Sequence, residues 1–206
     1  MADDQDLEDA PVAAEAPEEQ RADLPPGPLD GNDVDTGSGY VDLGSLQVPA
    51  VQGLQVRAEL AADKKTVQRV QLVLGQSGLQ VQLAAAPKSG GVWDEVRAGI
   101  REGLESQGGQ VVEQQTRYGT ELTATLPMDM PDGTKGAVPI RIIGREGPRW
   151  FARIDVMGPA THDEEAWLPL QDVLDRLVVK RGTEPRPRLD LLPLSLPSAA
   201  VEVPGE

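Results

Sequence analysis

The chain has 206 residues, 34 acidic against 19 basic side chains and a net charge of −15, with no cysteine and a single histidine, His162. The missing cysteine excludes disulfide scaffolds, thiolate zinc sites, iron–sulfur clusters and cysteine nucleophiles, and one histidine excludes a two-histidine metal site within one chain. A length near 200 suits one domain, or one domain with tails.

The acidity is concentrated at the start. Residues 1–35 hold twelve acids and one base, Arg21, so −11 of the charge lies there and the remainder carries −4. With five prolines before Tyr40, such a segment cannot bury enough apolar surface to offset its ordering entropy, and residues 1–39 are expected to be a disordered acidic tail. Met1-Ala2-Asp3-Asp4 offers neither the basic start nor the apolar run of an export signal. The longest charge-free stretch, Val70–Pro87, is broken by glutamines and a serine, unlike a spanning helix. A cytoplasmic protein with no membrane insertion is expected.

Regular patterning begins at Leu54. Leu54, Val56, Ala58 and Leu60 alternate with polar residues, Val70, Leu72 and Leu74 alternate with Arg69, Gln71 and Val73, and Leu79, Val81 and Leu83 alternate with Gln80 and Gln82. These period-two runs, separated by Asp63-Lys64-Lys65 and Gly75–Gly78, predict a three-stranded antiparallel meander. Trp93, Val96, Ile100 and Leu104 then fall at helical spacing, and Gly108-Gly109 stops that helix. Gly99 and Gly103 inside it read either as a groove for a partner's backbone or as compositional drift.

Four further strands follow, at Gln110–Tyr118, around Leu122–Leu126, around Ile140–Ile143 and at Trp150–Val156, with Gly144–Pro148 connecting the last two. Thr161 with Glu164 forms a capping box for a second helix. Its core stripe is Ala166, Leu170, Val173, Leu174, Leu177 and Val178, and it ends at Lys180, Arg181 and Gly182. Pro169 within it implies a kink or a late start. Residues 183–206 read as an extended Pro/Leu-rich strap, either a linear motif for another protein or a segment docked on its own body; the number of leucines favours docking. The order βββαββββα predicts an α+β fold, a mainly antiparallel sheet of about seven strands with two helices on one face. The folded body is expected as a single domain over residues 40–182.

Chemical motifs are sparse. Thr161-His162-Asp163-Glu164 is accounted for by helix-start preferences, and Asp129 with Asp132 lacks the graded pattern of a calcium loop. No phosphate loop or nucleophile elbow occurs, so no catalytic residue, metal ligand or cofactor is expected. The most suggestive surface is the hairpin over residues 140–156. With Ile140, Ile142, Trp150, Ala152 and Ile154 facing the core, the opposite face would display Arg141, Ile143, Arg145, Arg149, Phe151 and Arg153. Arg141, Arg145, Arg149, Phe151 and Arg153 are the candidate binding residues, suited to phosphates and a stacked base or to an acidic protein segment. An ordinary solvated face is the competing reading.

Several segments resemble a known family. These are the acidic leader, Tyr40-Val41-Asp42-Leu43-Gly44-Ser45-Leu46, Trp93-Asp94-Glu95-Val96-Arg97, Trp150-Phe151-Ala152-Arg153 and Pro187-Arg188-Leu189. Together they are similar to an uncharacterised actinobacterial domain family, over about residues 40–197. The resemblance implies genes for a dUTP diphosphatase and a small OB-fold nucleic-acid-binding protein nearby, and it implies no catalytic residues. The leading expectation is a non-enzymatic binding or adaptor module with a protein partner. The second is a nucleic-acid-associated accessory protein using the arginine face, and the third an enzyme of unrecognised type.

Overall fold

A computed structural model describes residues 25–63, 65–129 and 135–195. The acidic segment 1–24, Asp132 and Gly133 of the loop, and Leu196 with the rest of 196–206 lie outside them. In chain order the strands and helices are β1 (Leu29–Asp30), β2 (Tyr40–Asp42), β3 (Leu46–Pro49), β4 (Gln55–Leu60), β5 (Val67–Leu74), β6 (Ser77–Ala85), α1 (Val92–Ser106), β7 (Gln110–Thr116), β8 (Gly119–Asp129), β9 (Lys135–Gly147), β10 (Trp150–Met157), α2 (Glu164–Arg176) and β11 (Val178–Val179). The seven strands expected from alternation form one antiparallel sheet in the order β4-β5-β6-β10-β9-β8-β7. A second sheet has the order β1-β11-β3-β2, and the class is α+β as expected. Among the described residues no helix is long and apolar enough to cross a membrane.

The helices do not share a face of the sheet, contrary to the sequence expectation. Leu79, Val81, Leu83 and Ala85 pair with Val156, Ile154, Ala152 and Trp150. That surface is covered by Trp167, Leu170, Val173 and Leu174 of α2, together with Leu46 and Val48 of the small sheet. Ala84, Leu122, Ile142 and Phe151 point the other way and meet Val92 and Trp93 of α1. The physical reason lies in the inner strands. Trp150-Phe151-Ala152 and Ile142-Ile143 are unbroken apolar runs, and strands buried on both sides must be covered on both sides.

The helix boundaries also differ from expectation. α2 ends at Arg176 because Val178 and Val179, both fully buried, join the small sheet between β1 and β3. The cap of α2 is Asp163, whose carboxylate accepts from the amides of Glu165 (2.9 Å) and Ala166 (3.4 Å). Thr161 is instead held in a 3-10 turn by donating to the Gly158 carbonyl (2.8 Å). α1 begins after Gly91, which supplies no side chain, and Glu146 of β9 reaches across to accept from the Val92 amide (2.6 Å). A carboxylate there satisfies orphan donors and meets the positive end of the helix.

Both ends of the described chain stitch the layers together. Asp30 of β1 accepts from the Trp150 indole N–H (2.6 Å). The C-terminal strap adds beside β6, where the Ala85 carbonyl accepts from the Leu189 amide (2.8 Å) and the Leu83 carbonyl from that of Leu192 (3.0 Å). Leu192 is 1% exposed. Arg188 ties the strap to Glu95 of α1 (2.5 Å).

Candidate partner-binding cleft

The hairpin residues expected on one open face are divided between both sides of the sheet. β9 and β10 are joined by the two residues Pro148 and Arg149, which pairs Gly147 with Trp150. The expected connection, Gly144–Pro148, would have ended at a different position, and a one-residue change of register reverses every facing. Arg141 and Arg145 therefore share the α2 side with Trp150 and Ala152, whereas Phe151 and Arg153 emerge on the α1 side. Phe151 is 4% exposed and stacks against Trp93 with ring centroids 6.0 Å apart. Arg153 pairs with Asp155 (2.8 Å). Arg145 donates to the carbonyls of Tyr118 (3.1 Å) and Pro26 (2.6 Å), and burial draws its guanidinium below the ordinary arginine value. Arg149, in the turn, is the exposed member.

A different site is assembled where α2 begins. The α2 side of β7 and β8 carries Gln114, Thr116, Glu121 and Thr123, and β9 adds Arg141. Together with His162, Asp163, Glu164, Trp167 and Gln171 they enclose a cleft of about 300 Å³. Its floor is an ion pair: Arg141 Nε lies 2.8 Å from Glu121 Oε2, and Thr116 donates to Glu121 Oε1 (2.5 Å). Glu121 is 1% exposed. The Arg141 guanidinium rests 4.1 Å above the Trp167 ring, and Tyr118 meets that ring edge-on. His162 is exposed on the rim, its Nδ1 2.9 Å from Thr161 Oγ1.

The polar groups of the floor are already engaged with one another, an arrangement suited to holding a shape. Tyr118 donates its hydroxyl to Asp175 (2.8 Å), which also pairs with Arg117 (3.0 Å). Burial first, and then the bond to Asp175, push the Tyr118 phenol well above its ordinary range. An unfolded tyrosine ionises near pH 10, so above that pH the unfolded state binds fewer protons than the native state. Stability is therefore retained below about pH 10 and falls as the pH rises beyond it. Urea midpoints measured across that range should decline for the native sequence, and less steeply for Tyr118→Phe; equal slopes would show that Tyr118 does not couple.

One wall of the cleft is also an edge. β7 pairs with β8 alone among the described residues, and five of its seven residues are exposed. Val112 is 59% exposed. The strand has no proline, lysine or bulge to discourage pairing. Its one charge, Glu113, is engaged by Arg97 (3.4 Å) and Arg101 (3.3 Å) of α1. The opposite edge, β4, carries Arg57 and Glu59 and is broken by a bulge at Glu59/Leu60.

Sequence reasoning did not single out Glu121, Trp167 or Gln114. Glu121 reads as an ordinary polar alternate in β8, and only the diagonal neighbour on β9 reveals its pairing. Of the two loop acids set aside as a calcium site, Asp129 pairs with Lys135 (3.0 Å), while Asp132 is outside the described residues. No curated protein matches the chain. The sequence profile of the family described as "Protein of unknown function (DUF3710)" matches residues 27–203, and the chain belongs to that family.

Proposed function

We propose that the chain is a non-enzymatic binding module that takes an extended, basic segment of a partner protein along β7, with alternate side chains of that segment entering the cleft beside α2. The observation that carries this reading is the juxtaposition of an unprotected edge strand with a walled cleft. Strand addition supplies main-chain hydrogen bonds from the edge, and pockets beneath supply selectivity. The partner's charge follows from the rim. Glu164 and Glu165 are exposed at the start of α2 with no basic partner among the described residues. The whole chain carries −15, which favours encounter with cationic segments. This reading keeps the cytoplasmic location and actinobacterial setting expected from the sequence.

The test is amide hydrogen exchange with a synthetic peptide of alternating lysine and valine. Saturating peptide should slow exchange across Gln110–Thr116 and leave Gln55–Leu60 unchanged, whereas a glutamate–valine peptide should protect neither. Combining Glu164→Lys with Glu165→Lys should weaken the lysine peptide by about tenfold, as expected for loss of two charge contacts. Unchanged exchange in β7 at saturation, or equal protection of β4, would refute the proposal.

A further inference from the structure

A second feature stands apart from the cleft, at the turn between β9 and β10. Pro148 and Arg149 form a two-residue turn in which Arg149 adopts a φ of 67°. That left-handed position normally falls to glycine or asparagine, and it is costly for a long side chain. The turn is held from behind. The Arg149 carbonyl accepts from the Ala86 amide (3.0 Å) and from Arg181 Nε (2.9 Å). Arg181 Nη1 also donates to the Glu184 carbonyl (3.1 Å).

Arg181 is 9% exposed, yet neutral carbonyls are its partners, and no carboxylate among the described residues lies within 4.0 Å of it or of Arg149. A buried cation is ordinarily paired. Its environment adds to the deficit. Burial, and then the nearby charges of Arg149 and Arg186, lower the Arg181 guanidinium from its ordinary value, with Asp190 and Glu184 acting in the opposite direction. The surrounding acids are committed elsewhere. Glu184 and Asp190 pair with Arg186 (3.4 and 3.2 Å), Glu95 with Arg188, and Glu146 caps α1. Two guanidinium groups, those of Arg149 and Arg181, are left at one place without a carboxylate partner among the described residues, one of them presented by a strained turn.

We infer that Arg149 and Arg181 form a receptor for a phosphate oxyanion, Arg181 fixed by its carbonyl partners and Arg149 closing from the turn. Guanidinium forks match the acceptor geometry of phosphate, and charge-assisted bonds of this kind are the strong ones. The anion supplies the counter-charge that Arg181 lacks.

The strain makes the test clean. Arg149→Gly removes the cation and places the residue best suited to φ 67° in the turn, so the variant should melt at the same temperature as the native sequence or higher. With inorganic pyrophosphate at constant ionic strength, the native sequence should show a saturable rise in melting temperature. Arg149→Gly should need at least about tenfold more pyrophosphate for the same rise, the value of a lost charged hydrogen bond. No saturable rise in the native sequence, or an undiminished one in Arg149→Gly, would overturn the inference. A short oligothymidylate separates the sources. Retention displaced by pyrophosphate assigns the phosphate to a nucleic-acid backbone, and no retention assigns it to a small phosphorylated ligand.

Discussion

Replacing Gly144 with alanine should destabilise the protein by about 3 kcal/mol or more, the cost of evicting a buried aromatic side chain. A Cβ at this position would fall within the van der Waals shell of the Trp93 ring carbons Cδ2, Cε2 and Cε3. The indole has nowhere to retreat. It is 7% exposed, its N–H donates to the Thr120 carbonyl (2.7 Å), and Phe151 stacks on it. Alanine restricts the unfolded chain relative to glycine, but that gain is only about 0.4–1 kcal/mol and is smaller than the clash. The experiment is a double-mutant cycle in urea. Gly144→Ala should be severe in the native background and nearly neutral beside Trp93→Ala, because the second change empties the contested space. Additive losses would show that the glycine serves another purpose, and the account of how α1 seats on the sheet would then be wrong.

The same residue illustrates what the sequence displays and what it conceals. Strand positions were readable because one wet face imposes alternation, as at Leu54–Leu60 and Leu79–Leu83. The helical stripe from Trp93 to Leu104 was equally plain. Facing was not readable in the inner strands. Ile142-Ile143 and Trp150-Phe151-Ala152 have no polar alternate to mark a side, so an assignment there depends on where the turn falls. Pro148-Arg149 makes the turn, and this divides the arginines that a connection at Gly144–Pro148 would have united. Long-range partners were hidden for a different reason. Glu146 caps a helix that begins 54 positions earlier, and Val178-Val179 continue a helical stripe yet pair as a strand, because a neighbouring sheet offers more burial than another helical turn. The cleft belongs to this second class, since Glu121 and Arg141 become neighbours only through the β8–β9 register, in which Leu122 pairs with Ile142.

That cleft floor yields the other large effect. Glu121→Ala should cost about 3 kcal/mol, in the range for removing one partner of a buried ion pair, because it leaves Arg141 charged over Trp167. Arg141 cannot turn to water without abandoning the ring, as its side chain is 16% exposed. Glu121→Gln should lose less, since one oxygen still accepts from Thr116 or Arg141. The decisive comparison is Glu121→Leu with Arg141→Met. Buried pairs replaced together by apolar groups of similar volume are often neutral, so the double variant should recover most of the stability that Glu121→Ala loses. It should nevertheless bind the lysine–valine peptide more weakly, because the polar floor that orders Thr116 and the Trp167 edge is gone. Urea midpoints and peptide titrations on the same samples separate the two roles. If the double variant is as unstable as Glu121→Ala, the uncompensated charge is not the cause. If it binds the peptide unchanged, the floor contributes to the fold and not to recognition.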